Sequence, residues 1–362
     1  MTPRVLFVAR DTFHLPLAPS LARKWDALAE VLDVRVLAAG TGSDPRFVLR
    51  SPTPLDGPRF YGSLPARIAR ELRSFRPEVV VAQSPFEGFA AELARGVARS
   101  RVKIVVEVHG DWHGSTRLYG SRKRAAIAPI GDRVAGFAIR HADAHRAVSN
   151  FTASLLHSEG RDPISVFTTF SDHEAFSEPI VPVPAEPRVI FVGVLERYKN
   201  PHVLADAWRA VVSRVPDARL HLVGAGSQAG IAAGLESGGA DWDRRLEPPA
   251  LAAAIDRSRA LVLPSVSEGL PRVAIEAFLR GRAVIGSRAG GIPDIVADGV
   301  NGLLVTPGDA GELERALERL LTDFDLAVTL GAHAAQTSTA WASSPQEYAA
   351  KVRALIDEVV GG

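Results

Sequence analysis

Glu268 and Glu276 stand eight positions apart in Ser267-Glu268-Gly269-Leu270-Pro271-Arg272-Val273-Ala274-Ile275-Glu276-Ala277, directly after the apolar run Ala260-Leu261-Val262-Leu263-Pro264-Ser265. That run reads as a short buried strand, and Pro271 suits the first position of a helix, where its missing N–H costs nothing. One carboxylate then sits on the loop leaving a strand and the other about one turn into the following helix. A helix N-terminus at the carboxyl edge of a parallel sheet offers free N–H groups and a positive dipole end, which suit a diphosphate. Two carboxylates beside it would repel that anion but could accept hydrogen bonds from sugar and ribose hydroxyls. On spacing alone, a capped surface helix with incidental acids fits equally well.

Four further loops follow β-rich runs. Gly193-Val194-Leu195-Glu196-Arg197-Tyr198-Lys199-Asn200 puts two cations, Arg197 and Lys199, where a leaving diphosphate could be neutralised, and equally where ordinary surface charges sit. Gly224-Ala225-Gly226-Ser227-Gln228-Ala229 has the letters of a dinucleotide fingerprint, but on a late strand. Asp241 and Asp243 follow in a Gly-rich stretch with no strand pattern to carry an acid to a ribose, so a turn near some nucleotide is a better reading than NAD binding. Val106-Glu107-Val108-His109-Gly110-Asp111-Trp112 ends a strand with His109 and Asp111 at its edge; a lone His is usually only a hydrogen-bonded side chain, and the strand terminus strengthens a functional role. Gly290-Gly291-Ile292-Pro293-Asp294 could bring backbone close to a ligand or simply turn.

Alternating strands and helices must position these loops. Candidate strands at 4–9, 33–38, 79–82 and 102–108 alternate with helical segments near 17–30, 63–75, 86–99 and 129–141. A second series of strands follows at 188–193, 218–223, 260–263, 283–286 and 302–305. Such alternation indicates two α/β domains, each a doubly wound parallel sheet. Between them lies Ser177-Glu178-Pro179-Ile180-Val181-Pro182-Val183-Pro184-Ala185-Glu186-Pro187, whose four prolines mark an extended linker. The expected division is therefore 1–176, a linker at 177–187, and 188–342. Residues 343–362 form a last, amphipathic helix with Tyr348, Val352, Leu355, Ile356 and Val359 on one face, expected to pack back on the N-terminal domain. The carboxyl edges of the two sheets are expected to face each other across a ligand cleft.

Composition agrees with this division and excludes several functions. A chain of 362 residues, 46% hydrophobic, is too long for one ordinary core. Its 42 Lys plus Arg against 41 Asp plus Glu give no global field for nucleic acid. The absence of Cys removes disulfides, thiolate metal sites and Cys nucleophiles. Val5-Leu6-Phe7-Val8-Ala9 is cut off by Arg10 and Asp11, too short for a signal-peptide core, and no apolar stretch is long enough to span a membrane. A cytoplasmic protein is expected. Arg117, Arg122, Lys123, Arg124, Arg133, Arg140 and Arg146 lie among apolar residues; such a stretch can rest on an anionic membrane, here the inner face, or form a solvated face.

In this order the motifs resemble the family 4 glycosyltransferases, retaining enzymes of the two-Rossmann-domain GT-B fold. The resemblance covers most of the chain and is most specific from Pro264-Ser265 to Glu276, then through Gly290-Gly291-Ile292-Pro293-Asp294 and Asp298-Gly299-Val300-Asn301-Gly302-Leu303-Leu304-Val305 to Pro307-Gly308-Asp309. It implies that Glu268 contacts the donor-sugar hydroxyls, that Gly269, Leu270 and Pro271 present backbone to sugar and phosphates, and that Glu276 holds the ribose. Lys199 matches the family's phosphate-binding Lys, and His109 the first-domain His that lies against the donor sugar. Gly224 falls in the glycine turn near the nucleotide. Asp143 to Ser149 looks like the segment ending the first domain's later strand. Three positions depart from the pattern. Val194 stands where the family has a phosphate-binding Arg, leaving Arg197 as the replacement from the same loop. Arg10-Asp11-Thr12-Phe13-His14-Leu15-Pro16 lacks the usual glycine pair. Thr168-Thr169-Phe170 replaces the frequent Pro-Asn-Gly, while Asp172 and Phe176 keep their places.

The resemblance implies a retaining, metal-independent glycosyltransferase. It would move a hexose-type sugar from a nucleoside diphosphate sugar, bound by the C-terminal domain, to the hydroxyl of a glycan, lipid or small-molecule acceptor bound by the N-terminal domain. The leaving phosphate would take the acceptor proton on the same face. Asp241-Trp242-Asp243 has the letters of a metal-binding triplet but sits in a Gly-rich loop of the second domain, so no metal or cofactor is expected. The alternatives are another GT-B enzyme, such as a phosphorylase or nucleotide-sugar epimerase, or a non-catalytic sugar-nucleotide-binding subunit.

Overall fold

The computed structural model describes residues 2–51, 56–114 and 128–362. The chain divides into two compact units, Met1–Asp172 with Ser343–Gly362, and His173–Ala342.

In the first unit, among the described residues, β1 (Arg4–His14), β2 (Asp33–Thr41), β3 (Phe47–Arg50), β4 (Val79–Ala82), β5 (Lys103–Val108), β6 (Ala144–Ala147) and β7 (Ser165–Val166) form a parallel sheet in the order β3-β2-β1-β4-β5-β6-β7. Alternation along β1 sends Val5 and Phe7 to one face and Leu6 and Val8 to the other, each into its own apolar cluster. Helices α2 (Asp56–Ser74), α3 (Pro85–Ala98) and α4 (Ala128–His141) cover the Leu6 face; α5 (Asn150–Ser158) follows β6. The Phe7 face is covered by α1 (Pro19–Val31) and by the C-terminal helix, Pro345–Gly361. That last helix is opened by a capping box between Ser344 and Glu347 and buries Tyr348, Val352, Leu355, Ile356 and Val359 against Trp25 and Leu28. It packs on the N-terminal domain, as its apolar stripe requires. Ile356 is fully buried there. Ile356→Ala is therefore expected to cost about 2–5 kcal/mol of unfolding free energy in a denaturant titration of the whole chain.

In the second unit, β8 (Arg188–Val192), β9 (Arg219–Val223), β10 (Ala240–Asp243), β11 (Ala260–Leu263), β12 (Ala283–Ser287) and β13 (Gly302–Val305) form a parallel sheet in the order β10-β9-β8-β11-β12-β13. The helices are α6 (Pro201–Arg214), α7 (Ala229–Leu235), α8 (Pro248–Asp256), α9 (Arg272–Leu279), α10 (Ile292–Ile295), α11 (Ala310–Thr322) and α12 (Phe324–Ser338). Two apolar clusters, one per face, enclose the sheet. In both sheets the order reverses beside the first strand, the switch point where α/β folds open a crevice at the carboxyl edge.

Several strands escape the expected list for identifiable reasons. β6 reads Ala-His-Arg-Ala and looks polar, yet it is wholly buried because Arg146 finds a charged partner on β5. β10 lies in the stretch expected to be a Gly-rich loop; it is an edge strand on β9, with Asp241 bound to Arg188 at 2.7 Å and Asp243 to His221 at 2.9 Å. Both acids of the Asp-Trp-Asp triplet thus already have partners. Edge strands β3 and β7 are short and half-exposed.

The proline-rich segment is extended but not loose. With no regular ladder to satisfy its carbonyls, it is held by three arginines of the second unit. Arg280 donates to Glu178 and Pro179, Arg282 to Val181 and Pro182, and Arg259 to Pro184 and Ala185. Asp256 balances this charge, pairing with Arg280 at 2.7 Å. Just before the segment, Phe176 is buried with Ile190 and Ile255, so the chain joins the second unit at His173 rather than after the prolines.

Candidate active site

Two loops of the second unit meet at the carboxyl edge of its sheet. After β8, residues Arg197–Lys199 form a 3-10 turn, and Asn200 closes it in the left-handed region. The amide of Asn200 donates to the Pro264 carbonyl at 3.0 Å, and Val266 N–H donates to the Tyr198 carbonyl at 2.8 Å. These bonds sew the loop after β8 to the loop after β11. Lys199 then runs past Gly193, where a Cβ would touch its ammonium end, and its Nζ lies 2.5 Å from Glu268 Oε1. Both side chains are nearly buried, at 11% and 12% exposure, so the pair is partly shielded from solvent screening.

Glu268 is held from below by the loop after β12. Gly290 has a φ of +57°, and a Cβ there would strike the backbone of Glu268; Gly291 N–H donates to the Glu268 carbonyl at 2.8 Å. The glycine pair therefore sets the height of the Glu268 loop. A similar close approach explains the other glycines: a side chain on Gly224 would collide with the Gly193 carbonyl, and one on Gly226 with the Leu195 carbonyl. This G-x-G packs the loop after β9 against the loop after β8, and Glu196 ties the two by accepting from the N–H and hydroxyl of Ser227.

Helix α9 begins at Arg272, with Pro271 as its N-cap residue rather than its first helical residue. Proline offers no side-chain cap, so no N-cap side chain covers the N-terminus of α9, which follows directly on Gly269 and Leu270. Glu276 is on the second turn. Burial pushes its carboxyl above the usual range, and Arg272 offsets only part of that. Among the described residues no hydrogen bond or ion pair engages this carboxylate. It is half-buried and unpaired, so its lone pairs can accept from a hydroxyl donor.

His109 belongs to the first unit, where it follows β5. Its Nε2 lies 3.0 Å from Glu107 Oε2 and its Nδ1 3.1 Å from Thr169 Oγ1. Glu107 also accepts from Arg146 Nε at 2.8 Å. Burial alone would push the Glu107 carboxyl up, but the Arg146 guanidinium and His109 hold it well below the usual carboxylate range.

Two family profiles divide the chain between them: Glycosyltransferase Family 4 matches residues 20–175, and Glycosyl transferases group 1 matches 186–323. The chain belongs to the family 4 glycosyltransferases. A D-inositol 3-phosphate glycosyltransferase of Corynebacterium kroppenstedtii is 32% identical over 177 residues, 45% of this chain and 39% of that protein. One from Nocardiopsis dassonvillei is 34% identical over 195 residues, 48% of this chain and 44% of its own. The matched region is thus less than half the length of either relative. Among solved structures, sucrose-phosphate synthase from Thermosynechococcus elongatus superposes with a TM-score of 0.80 at 18% identity, covering 99% of both chains. Anabaena HepE in complex with UDP and glucose superposes at 0.70 and 17%, covering 99% of this chain and 100% of its own. At these identities the likeness is one of fold, and that fold is GT-B.

Within this family 4 glycosyltransferase the expected residues fall into three groups. Lys199 and Glu268 are in direct contact, and Gly269, Leu270 and Pro271 lead from them into the helix that carries Glu276. Gly224 packs against the same loop system through Gly193. Arg197 is exposed and, among the described residues, makes no ion pair, so it does not share the Lys199 contact; Val194 beside it is also exposed. The basic run divides as well: Arg117, Arg122, Lys123 and Arg124 lie outside the described residues, Arg140 pairs with Glu159 at 3.2 Å, and Arg146 is fully buried. No described helix is long and apolar enough to cross a membrane. Glu107 was not singled out from the sequence, and Arg146 was named only as one cation of the basic run. The available signal was a Glu two residues before His109 and an Arg two residues before Val148, each on a strand ending at the same edge.

Proposed function

We propose that the protein transfers a hexose-type sugar from a nucleoside diphosphate sugar to an acceptor hydroxyl, with retention at the anomeric carbon. The observation that carries this is the Lys199–Glu268 pair, just ahead of a helix with no side-chain N-cap, with a half-buried Glu276 on that helix that is unpaired among the described residues. A diphosphate needs cationic and N–H donors, and a sugar and a ribose need carboxylate acceptors. Lys199 and the start of α9 would hold the phosphates and stabilise the charge that grows on them as the glycosidic bond breaks. Glu268 would accept from the sugar hydroxyls and Glu276 from the ribose. The departing phosphate oxygen would take the acceptor proton on the face it leaves, which gives retention without a protein nucleophile. His109 would act at the transferred sugar. Lys199 and the helix dipole would take the part that a divalent cation plays elsewhere. The solved HepE complex with UDP and glucose supports the donor class, and the curated relatives support glycosyl transfer.

A panel of nucleotide sugars read by thermal shift tests this. The true donor at a hundred times its Kd is expected to add about 2.7 kcal/mol of apparent stability. Turnover of that donor in EDTA should continue, with a product of unchanged anomeric configuration by NMR. An absolute need for Mn²⁺ or Mg²⁺, an inverted product, or an epimerised donor formed without acceptor would each overturn the corresponding part.

A further inference from the structure

Glu107 and Arg146 face each other in register on β5 and β6, and their side chains are 4% and 0% exposed. A buried ion pair is a poor stabiliser compared with apolar residues of the same size, because both charges lose their hydration. This one is costly even so, since Arg146 Nη2 is buried without a hydrogen-bond partner. Arg146 is otherwise well fixed: Nη1 donates to the Phe167 carbonyl at 2.8 Å, and the guanidinium lies over the Phe167 ring at 4.4 Å. The Glu107 oxygen that Arg146 Nε does not take is the one 3.0 Å from His109 Nε2.

An ionised carboxylate can only accept, so Nε2 must carry a proton. In the neutral ring Nδ1 is then the acceptor, and the hydroxyl of Thr169 must donate to it. We propose that Glu107, anchored by Arg146, is the positioning residue of His109: it fixes the Nε2–H tautomer and leaves Nδ1 as an acceptor, which Thr169 occupies until a substrate sugar hydroxyl takes its place. The proposal rests on the reading of His109 as a residue that acts at the sugar.

Glu107→Gln separates positioning from mere packing. Arg146 Nε–H claims the amide oxygen, so the amide NH₂ turns to Nε2, which must now accept; the ring switches to the Nδ1–H tautomer. Long-range ¹H–¹⁵N spectra of the whole chain, with His109→Asn to assign the signal among its 10 histidines, read this directly. Expected are an Nε2–H ring in the wild type, an Nδ1–H ring in Glu107→Gln, and a fall in kcat of about 100-fold with donor KM changed less than about threefold. Thr169→Val should leave the tautomer as it is, because the Glu107 carboxylate still fixes the Nε2–H form. A wild-type ring protonated at Nδ1 overturns the proposal even if Glu107→Gln fails to fold. Full turnover in Glu107→Gln with a switched ring overturns it as well. Wild-type turnover in His109→Asn would instead sink the role given to His109 while leaving the tautomer result standing.

Discussion

Lys199→Ala is expected to lower kcat/KM by about 10²- to 10³-fold, the usual effect of deleting one donor aimed at developing charge in a shielded site. The Lys199–Glu268 contact makes the expectation sharper than a simple loss. In the structure Lys199 is already committed to a carboxylate at 2.5 Å, so a diphosphate must compete with Glu268 for the same ammonium group. Glu268 is freed for the sugar hydroxyls by the arrival of the phosphates. Binding of a nucleoside diphosphate without sugar should therefore weaken in Lys199→Ala but hold or strengthen in Glu268→Ala, where the competing anion is gone. With the full donor sugar, both single variants should lose turnover. The double variant should be little worse than Lys199→Ala alone, because residues that act as a unit are not additive. Additive losses in kcat/KM, or weaker UDP and GDP binding in Glu268→Ala, would show that the two side chains work independently.

Glu276→Gln is expected to weaken nucleoside diphosphate binding by about 10- to 100-fold, the range for losing hydrogen bonds to a charged acceptor. The same change should stabilise the free protein. Burial raises the Glu276 carboxyl in the folded state and, among the described residues, nothing is bound to it. Below the ordinary carboxylate pKa, about 4.3, both folded and unfolded forms are protonated and the substitution is neutral. As pH rises from there through the raised folded value, the ionised folded form carries a desolvation cost that Gln does not. The stabilisation should therefore grow across that window and be complete above the raised folded value. Nucleotide affinity of the wild type should fall over the same window as pH is lowered, because a protonated carboxyl is a poorer acceptor. A Glu276→Gln protein less stable at pH 7 than the wild type would contradict the half-buried, unpaired carboxylate. An opposite effect on stability and binding marks a residue kept for a ligand rather than for the fold.

Much of this was legible in residue order, for physical reasons. Parallel strands buried on both faces read as apolar runs, so 79–82 and 260–263 announce themselves. The capping box at Ser344 and the stripe from Tyr348 to Val359 likewise reveal a helix that needs a partner. β6 was marked only by the family resemblance of Asp143 to Ser149, because in the apolar pattern a buried arginine looks like a surface residue until its carboxylate is found on the neighbouring strand. β10 was hidden by glycines that belong to the turn before it. The proline-rich segment was correctly extended, but only the structure shows Arg259, Arg280 and Arg282 gripping its carbonyls. Of the candidate site, residue types and spacing brought Lys199, Glu268 and Glu276 forward with plain surface readings equally open, and the family resemblance implied their roles. Contact geometry was needed to show that the first two are paired, that the third has no partner, and that Arg197 stands apart. Gly224 and Gly290 were legible as special positions; that each exists to let one loop touch another could come only from the collisions a Cβ would cause.

The central claim is that the carboxyl edge of the second sheet is a nucleoside diphosphate site. Hydrogen exchange of the whole chain with and without UDP, GDP, ADP and dTDP tests it most directly. Protection by at least one of them is expected in 193–200, 224–228, 264–276 and 288–294, with the largest effect at the start of α9. Protection absent from these segments with all four nucleotides, or confined to the first unit, would contradict it.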